Sequence, residues 1–207
     1  MEMLSEEIKS TTTIKMAGNR QKNIRIEGDG DAVNRDKITN VYNVRDTKLA
    51  KLFRKLKNEV DQDDRLYGIC EELNRYLTDK DTIGLEKKLK DGGFDEDFIL
   101  EAAEQKEYFS KKLYRYYEFE SAQFIYVDLL ALMKTNFQDY IKPLIDNNSD
   151  KSVIRIEVRE KVINPIIELL RYDSTDDTTI NLNAEEVKGM IYYLTGRCHI
   201  KWANDSI

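Results

Sequence analysis

The sequence is poor in the residues that build cross-links and metal sites. Its 207 residues include two cysteines, one histidine and one tryptophan. Cys70 and Cys198 lie far apart in the chain and make no disulfide framework, so a reduced compartment is the simpler reading. One histidine and two cysteines fall short of the four organised ligands of a zinc site. Only two prolines and nine glycines are present, which argues against a loop-rich chain and for long regular elements. Long apolar runs are missing as well. The most apolar stretch, 119–133, is interrupted by Glu120 and Asp128 and is too short and too polar to span a bilayer. Residues 1–10 carry Glu2, Glu6 and Glu7 and no apolar run, unlike a secretory signal. The expectation is a cytoplasmic protein without membrane association.

Positive charge is not in excess either. Residues 1–45 carry eight Lys/Arg against seven Asp/Glu, and the remainder 25 against 32, for a formal charge of -6. Neither part has the basic footprint of a nucleic-acid binder, although a local patch remains compatible with these numbers.

Two kinds of pattern are present. Residues 1–45 read as β: Thr11–Met16, Asn23–Glu27 and Ile38–Val44 are β-branched or alternating, with Gly28-Asp29-Gly30-Asp31 as turn chemistry. An isolated hairpin of this kind is marginal in water, so it calls for a partner or for other copies of itself. Residues 46–207 read as helical. Leu49, Leu52, Phe53, Leu56 and Val60 form one helix face, with Asp46 or Thr47 as N-cap. Leu66, Ile69, Cys70, Leu73, Tyr76 and Leu77 form a second stripe. A short helix at 85–90 ends at Gly92-Gly93, and Asp95 opens a long helix to about Glu118. Residues 119–137 are apolar on more than one face, which predicts a central helix closed by Pro143. Ile154, Ile156 and Val158 alternate as in a strand, but the residues after them favour one helix kinked near Pro165. Asn183 and Glu186 form a capping box for a last helix ended by Gly196. The fold class is therefore mainly α: a multi-helix bundle, 46–207, preceded by a small β-hairpin-like segment, 1–45, suited to oligomerisation or docking.

Catalytic constellations are mostly absent. Gly84–Lys88 lacks the glycine-rich body of a phosphate loop, and Gly28-Asp29-Gly30 lacks the third glycine of a dinucleotide fingerprint. Cys198-His199 invites a nucleophile–base reading, but neighbours in sequence seldom face each other. The expectation is a non-enzyme without cofactor or metal. The stretch 106–119 mixes cations with aromatic rings, and Lys111, Lys112, Tyr114, Arg115 and Tyr117 are its nucleic-acid candidates, since bases stack on tyrosine while Lys and Arg meet phosphate. An amphipathic helix with an aromatic core face explains the same residues.

The run Gly189-Met190-Ile191-Tyr192-Tyr193-Leu194-Thr195-Gly196-Arg197-Cys198-His199-Ile200-Lys201-Trp202 closely resembles the terminal signature of the C-terminal domain family of bacterial ABC-three-component anti-phage systems. In the same order, Ile83–Leu89, Lys111–Tyr116, Ser121–Gln123, Pro143–Ile145 and Asn164–Ile167 resemble further pieces of that family, so the likeness covers about 46–202. Gly28–Asn43 resembles short polar β segments found beside bacterial defence effectors. The resemblance implies a helical module usually fused behind an effector such as a nuclease or protease, linking it to an ABC-type ATPase. In this sequence only about 45 residues precede the module, too few for a typical effector domain, and Arg197 stands where many relatives carry a small polar residue. The resemblance thus implies an adaptor whose partners are the ATPase, the effector, or both, and which self-associates; a nucleic-acid sensor is the alternative. Leu194, Arg197, His199 and Trp202 are the interface candidates, although a core or folding role is the favoured reading of the same run.

Overall fold

The computed structural model describes residues 47–204 apart from 82, 175 and 176. The β segments expected in 1–45 lie outside these residues. The described residues cluster as one unit, and that unit is mainly helical. Its helices are α1 (Lys48–Asp61), α2 (Glu71–Leu77), α3 (Leu85–Asp91), α4 (Glu96–Tyr116), α5 (Glu120–Asn136), α6 (Lys142–Asp146), α7 (Lys151–Glu157), α8 (Asn164–Asp173) and α9 (Ala184–Gly196). Two π-helical stretches, Phe137–Ile141 and Val158–Ile163, join α5 to α6 and α7 to α8. Among the described residues no helix is long and apolar enough to cross a membrane.

Side-chain caps start the helices where short polar residues precede an apolar stripe. Thr47 Oγ1 accepts from Ala50 N at 3.0 Å, and Asp95 Oδ1 from Phe98 N at 2.8 Å. Asn183 accepts from Glu185 N and Glu186 N, while Glu186 accepts from Asn183 N at 2.7 Å, which completes the capping box.

The second stripe is shorter than its spacing implies. Leu66 and Ile69 precede α2 and are 45% and 40% exposed. Their segment is held by tertiary bonds that a helix would need for itself: Leu66 N donates to Glu118 O, and Cys70 N to Gln123 Oε1. Between them Gly68 sits at φ +142°, a conformation outside the helical region.

Neither proline ends its helix. Pro143 and Pro165 each occupy the second position of an α-helical segment that directly succeeds a π stretch. A proline inside an α-helix removes one hydrogen bond and pushes its ring at the carbonyl four residues back. Here the turn is widened instead: Lys142 N donates to Phe137 O, and Asn164 N to Arg159 O, both five residues back. The two long rods therefore continue through their prolines without a break.

The core lies around α5 and α9. Ala122, Ile125, Tyr126, Leu129, Leu130 and Met133 of α5 are fully buried among α1, α2, α4, α8 and α9. Buried polar groups on α5 anchor its neighbours. Glu59 of α1 accepts from Ser121 N and Ser121 Oγ at 3.0 and 2.9 Å, placing a carboxylate at the positive end of α5. Gln123 donates to Gly68 O and Tyr117 O and accepts from Cys70 N, so its amide is satisfied on both sides.

The backbones of α4 and α9 approach each other closely at Gly189. A methyl group at Gly189 would stand 2.1 Å from Gln105 O and 2.8 Å from Phe109 Cβ. An exposed helical glycine changed to alanine gains about 0.5–1 kcal/mol. Gly189→Ala should show the opposite sign, a loss of about 2–4 kcal/mol from overpacking, read as a lower urea midpoint with the helical circular dichroism signal retained.

Candidate functional site

Two of the sequence segments that carry the family likeness, Ile83–Leu89 and Gly189–Trp202, meet in space at the C-terminal end of α9. That end is closed by a left-handed turn. Cys198 N donates to Thr195 O and His199 N to Leu194 O, with Cys198 at φ +62°. Glycine usually holds this position, and a side chain there costs about 1 kcal/mol. Lys88 of α3 fills the space beyond it. Its ammonium, on a side chain 10% exposed, donates to Thr195 O at 3.0 Å, to Gly196 O at 3.1 Å and to Cys198 Sγ. It also pairs with Asp81 at 3.2 Å. A buried cation thus satisfies the open carbonyls and faces the negative end of the α9 dipole.

Trp202 folds back over the same end. Its Nε1 donates to Thr195 Oγ1 at 2.8 Å, and that hydroxyl donates to Ile191 O. The indole stands edge-on to Phe94 at 5.2 Å and Phe137 at 5.0 Å, and its backbone rests on Gly92, where a Cβ would meet Trp202 Cβ at 2.9 Å. Ile83–Leu89, Pro143–Ile145 with the π turn before it, and Gly189–Trp202 are thereby tied together. Lys111–Tyr116 joins them through Lys112, which pairs with Glu186 and donates to Asn181 O, and through Tyr116, whose hydroxyl donates to Thr179 O.

This geometry assigns each candidate a place. Leu194 and Trp202 are buried within the chain, so they shape any interface through the surface they support. Arg197 is half-buried, 3.0 Å from Asp79 and donating to Tyr114 Oη at 3.0 Å, with its guanidinium over the Tyr193 ring. Tyr114 therefore serves the α9 end, and Tyr117 stands edge-on to it at 6.0 Å. Of the three cations in the nucleic-acid set, Lys112 is neutralised by Glu186 and Lys111 by Glu107 at 2.7 Å, leaving Arg115 on the surface. Cys198 and His199 do not bond each other. Cys198 faces Lys88 and Asp81, and burial pushes its thiol up. His199 packs on the Tyr76 ring at 5.1 Å, and neither ring nitrogen has a hydrogen-bond partner. Among the described residues no three His, Cys, Asp or Glu side chains converge as a metal site.

Sequence reasoning missed Lys88 and the surface clefts. One cleft, of about 990 Å³, runs between α3 and α4. Its floor includes Ile99, Leu100 and Ala103, and Leu100 is 63% exposed. Glu86, Glu96, Asp97 and Glu107 outnumber Lys90 and Lys106 among its charged groups. The exposed leucine out of phase with the buried Ala102 and Phe109 of α4 is the one sequence signal that could have located it.

A compact helical bundle, stitched by the segments that carry its family likeness, is what these contacts define. The chain belongs to the family described as C-terminal domain 9 of the ABC-three component (ABC-3C) systems, whose profile matches residues 84–202. No curated protein and no solved structure gives a match.

Two substitutions probe this end of the bundle. Lys88→Met leaves Thr195 O, Gly196 O and Asp81 without their cation, and should lower stability by about 1–3 kcal/mol in urea unfolding. His199 is pushed down to about 4 from an ordinary 6.5, by burial first and then by the charges of Lys80 and Lys134. As pH falls, the unfolded chain takes up this proton before the folded one does, so stability present above pH 6.5 is lost progressively towards pH 4. Replacing the imidazole in His199→Phe should flatten that loss by about 2 kcal/mol, measured as urea midpoints at neutral and mildly acid pH.

Proposed function

We propose that the chain is an adaptor subunit of an ABC-three-component defence system, holding an effector nuclease or protease to an ABC-type ATPase. The family match over 84–202 carries this reading. The resemblance read from the sequence supplies the roles of the partners. In this reading the bundle is a rigid docking body without chemistry of its own, and residues 1–45 recruit a partner or further copies of the chain.

The α3–α4 cleft is the surface best suited to docking. An apolar floor with an exposed leucine loses water favourably when covered, at about 25 cal/mol per Å². Its acidic rim selects a partner segment of basic, amphipathic character and steers its approach. Lys88, Leu194 and Trp202 are consumed in internal contacts, whereas Leu100 is exposed and free to meet a partner.

The test is co-purification of the tagged chain with the other components of its own system. The wild-type chain should recover the ATPase or the effector at fixed stoichiometry, and Leu100→Arg should lose at least the bulk of that recovery while its helical signal and urea midpoint stay unchanged. Normal recovery with the Leu100→Arg chain assigns docking to another face; absence of both partners from the wild-type complex removes the adaptor role.

A further inference from the structure

A second cleft, of about 540 Å³, lies between α2, the segment after it, α5 and the turn beyond α9. Arg75 enters it from α2, Lys80 from the segment after α2 and Lys134 from α5, and His199 closes its inner wall. Among the described residues these three cations form no ion pair. Glu71 and Glu72 also line it, leaving a net charge of +1 with the histidine neutral. Asn74 and Thr78 add neutral polar groups.

Two features are unfavourable as they stand. Lys134 is half-buried, and its ammonium is pushed down by burial and then by the like charge of Lys80. His199 is only 7% exposed, yet both of its ring nitrogens are unpartnered. The Arg75 carbonyl lies near enough to favour the charged imidazole but outside hydrogen-bonding geometry. Lys80, Lys134 and Arg197 all oppose that charge. Buried polar groups left without partners are uncommon in folded proteins and mark places where something further binds. Three cations that share a cleft and form no ion pair there, with two carboxylates in the same lining, have the same meaning.

We propose that this cleft binds a phosphate-bearing small ligand. A tetrahedral phosphate offers oxygens in several directions at once, matching cations that arrive from three separate elements, whereas a carboxylate offers two oxygens in one plane. A bound phosphate relieves the repulsion between Lys80 and Lys134 and supplies the negative charge that the imidazole lacks. The site stands apart from the α3–α4 docking cleft and does not depend on the adaptor reading.

The chain has a single histidine, so one imidazole resonance reports on this cleft alone. The full chain is titrated with pyrophosphate at constant ionic strength, with sodium chloride as the matched control, while the His199 C2–H signal is followed by NMR. Binding gives a saturable displacement, and the pH midpoint of His199 climbs from about 4 towards the ordinary histidine range. In Lys80→Ala, an exposed position that leaves the fold intact, affinity drops about tenfold, the worth of one charge-assisted contact. A displacement that does not saturate, that chloride reproduces, or that survives undiminished in both Lys80→Ala and Lys134→Gln overturns the proposal. So does a response to a short single-stranded DNA with none to pyrophosphate, because the phosphate would then belong to a polymer.

Discussion

At Gly189 the backbones of α4 and α9 approach so closely that one methyl group would overlap the Gln105 carbonyl. That contact fixes the distance between α4 and α9. With α9 drawn in, Phe109 can stand edge-on to both Tyr126 and Tyr193, at 5.9 and 5.3 Å, and link α4, α5 and α9 through rings. With the helix axis fixed, its C-terminal turn comes within reach of Lys88 and Trp202. The close approach is a steric condition with no slack, and the softer interactions take their geometry from it.

Beside that contact Gln105 Oε1 and Tyr193 Oη have no hydrogen-bond partner among the described residues, whereas a few polar groups elsewhere in the bundle are fully engaged. Lys88, Glu59 and Gln123 each make several bonds across helices and are largely shielded from water. A shielded group of this kind stabilises chiefly because its loss would strand the partners it satisfies. The exterior is treated differently. Leu100 at 63% and Ile156 at 60% exposure remain uncovered, and the α3–α4 cleft is open. Internal anchoring and surface exposure thus fall to different residues.

Local chemistry made much of this visible beforehand. Thr47, Asp95 and the Asn183–Glu186 pair cap helices because capping depends only on residues three apart. The many-sided apolarity of 119–137 identified the central helix for the same reason. The start of α2 was not legible, since the Leu66 and Cys70 amides are claimed by Glu118 and Gln123, far along the chain. Lys88 reads as an ordinary surface lysine until α9 delivers its carbonyls. His199 reads as a turn residue, and its unsatisfied nitrogens exist only because α2 and α5 enclose it. In each case the decisive partner is tens of residues away.

The two π turns have a consequence for how such chains diverge. A π turn holds one residue more than the α turn it replaces. Removing a residue from Phe137–Ile141 or Val158–Ile163 would return an ordinary helix and restore its phase, provided the proline just beyond it is lost as well. Relatives should therefore differ from this chain by single-residue gaps at these two places, each gap accompanied by replacement of Pro143 or Pro165. Length and proline content would change together, as one heritable unit, while the helices on either side keep their alignment.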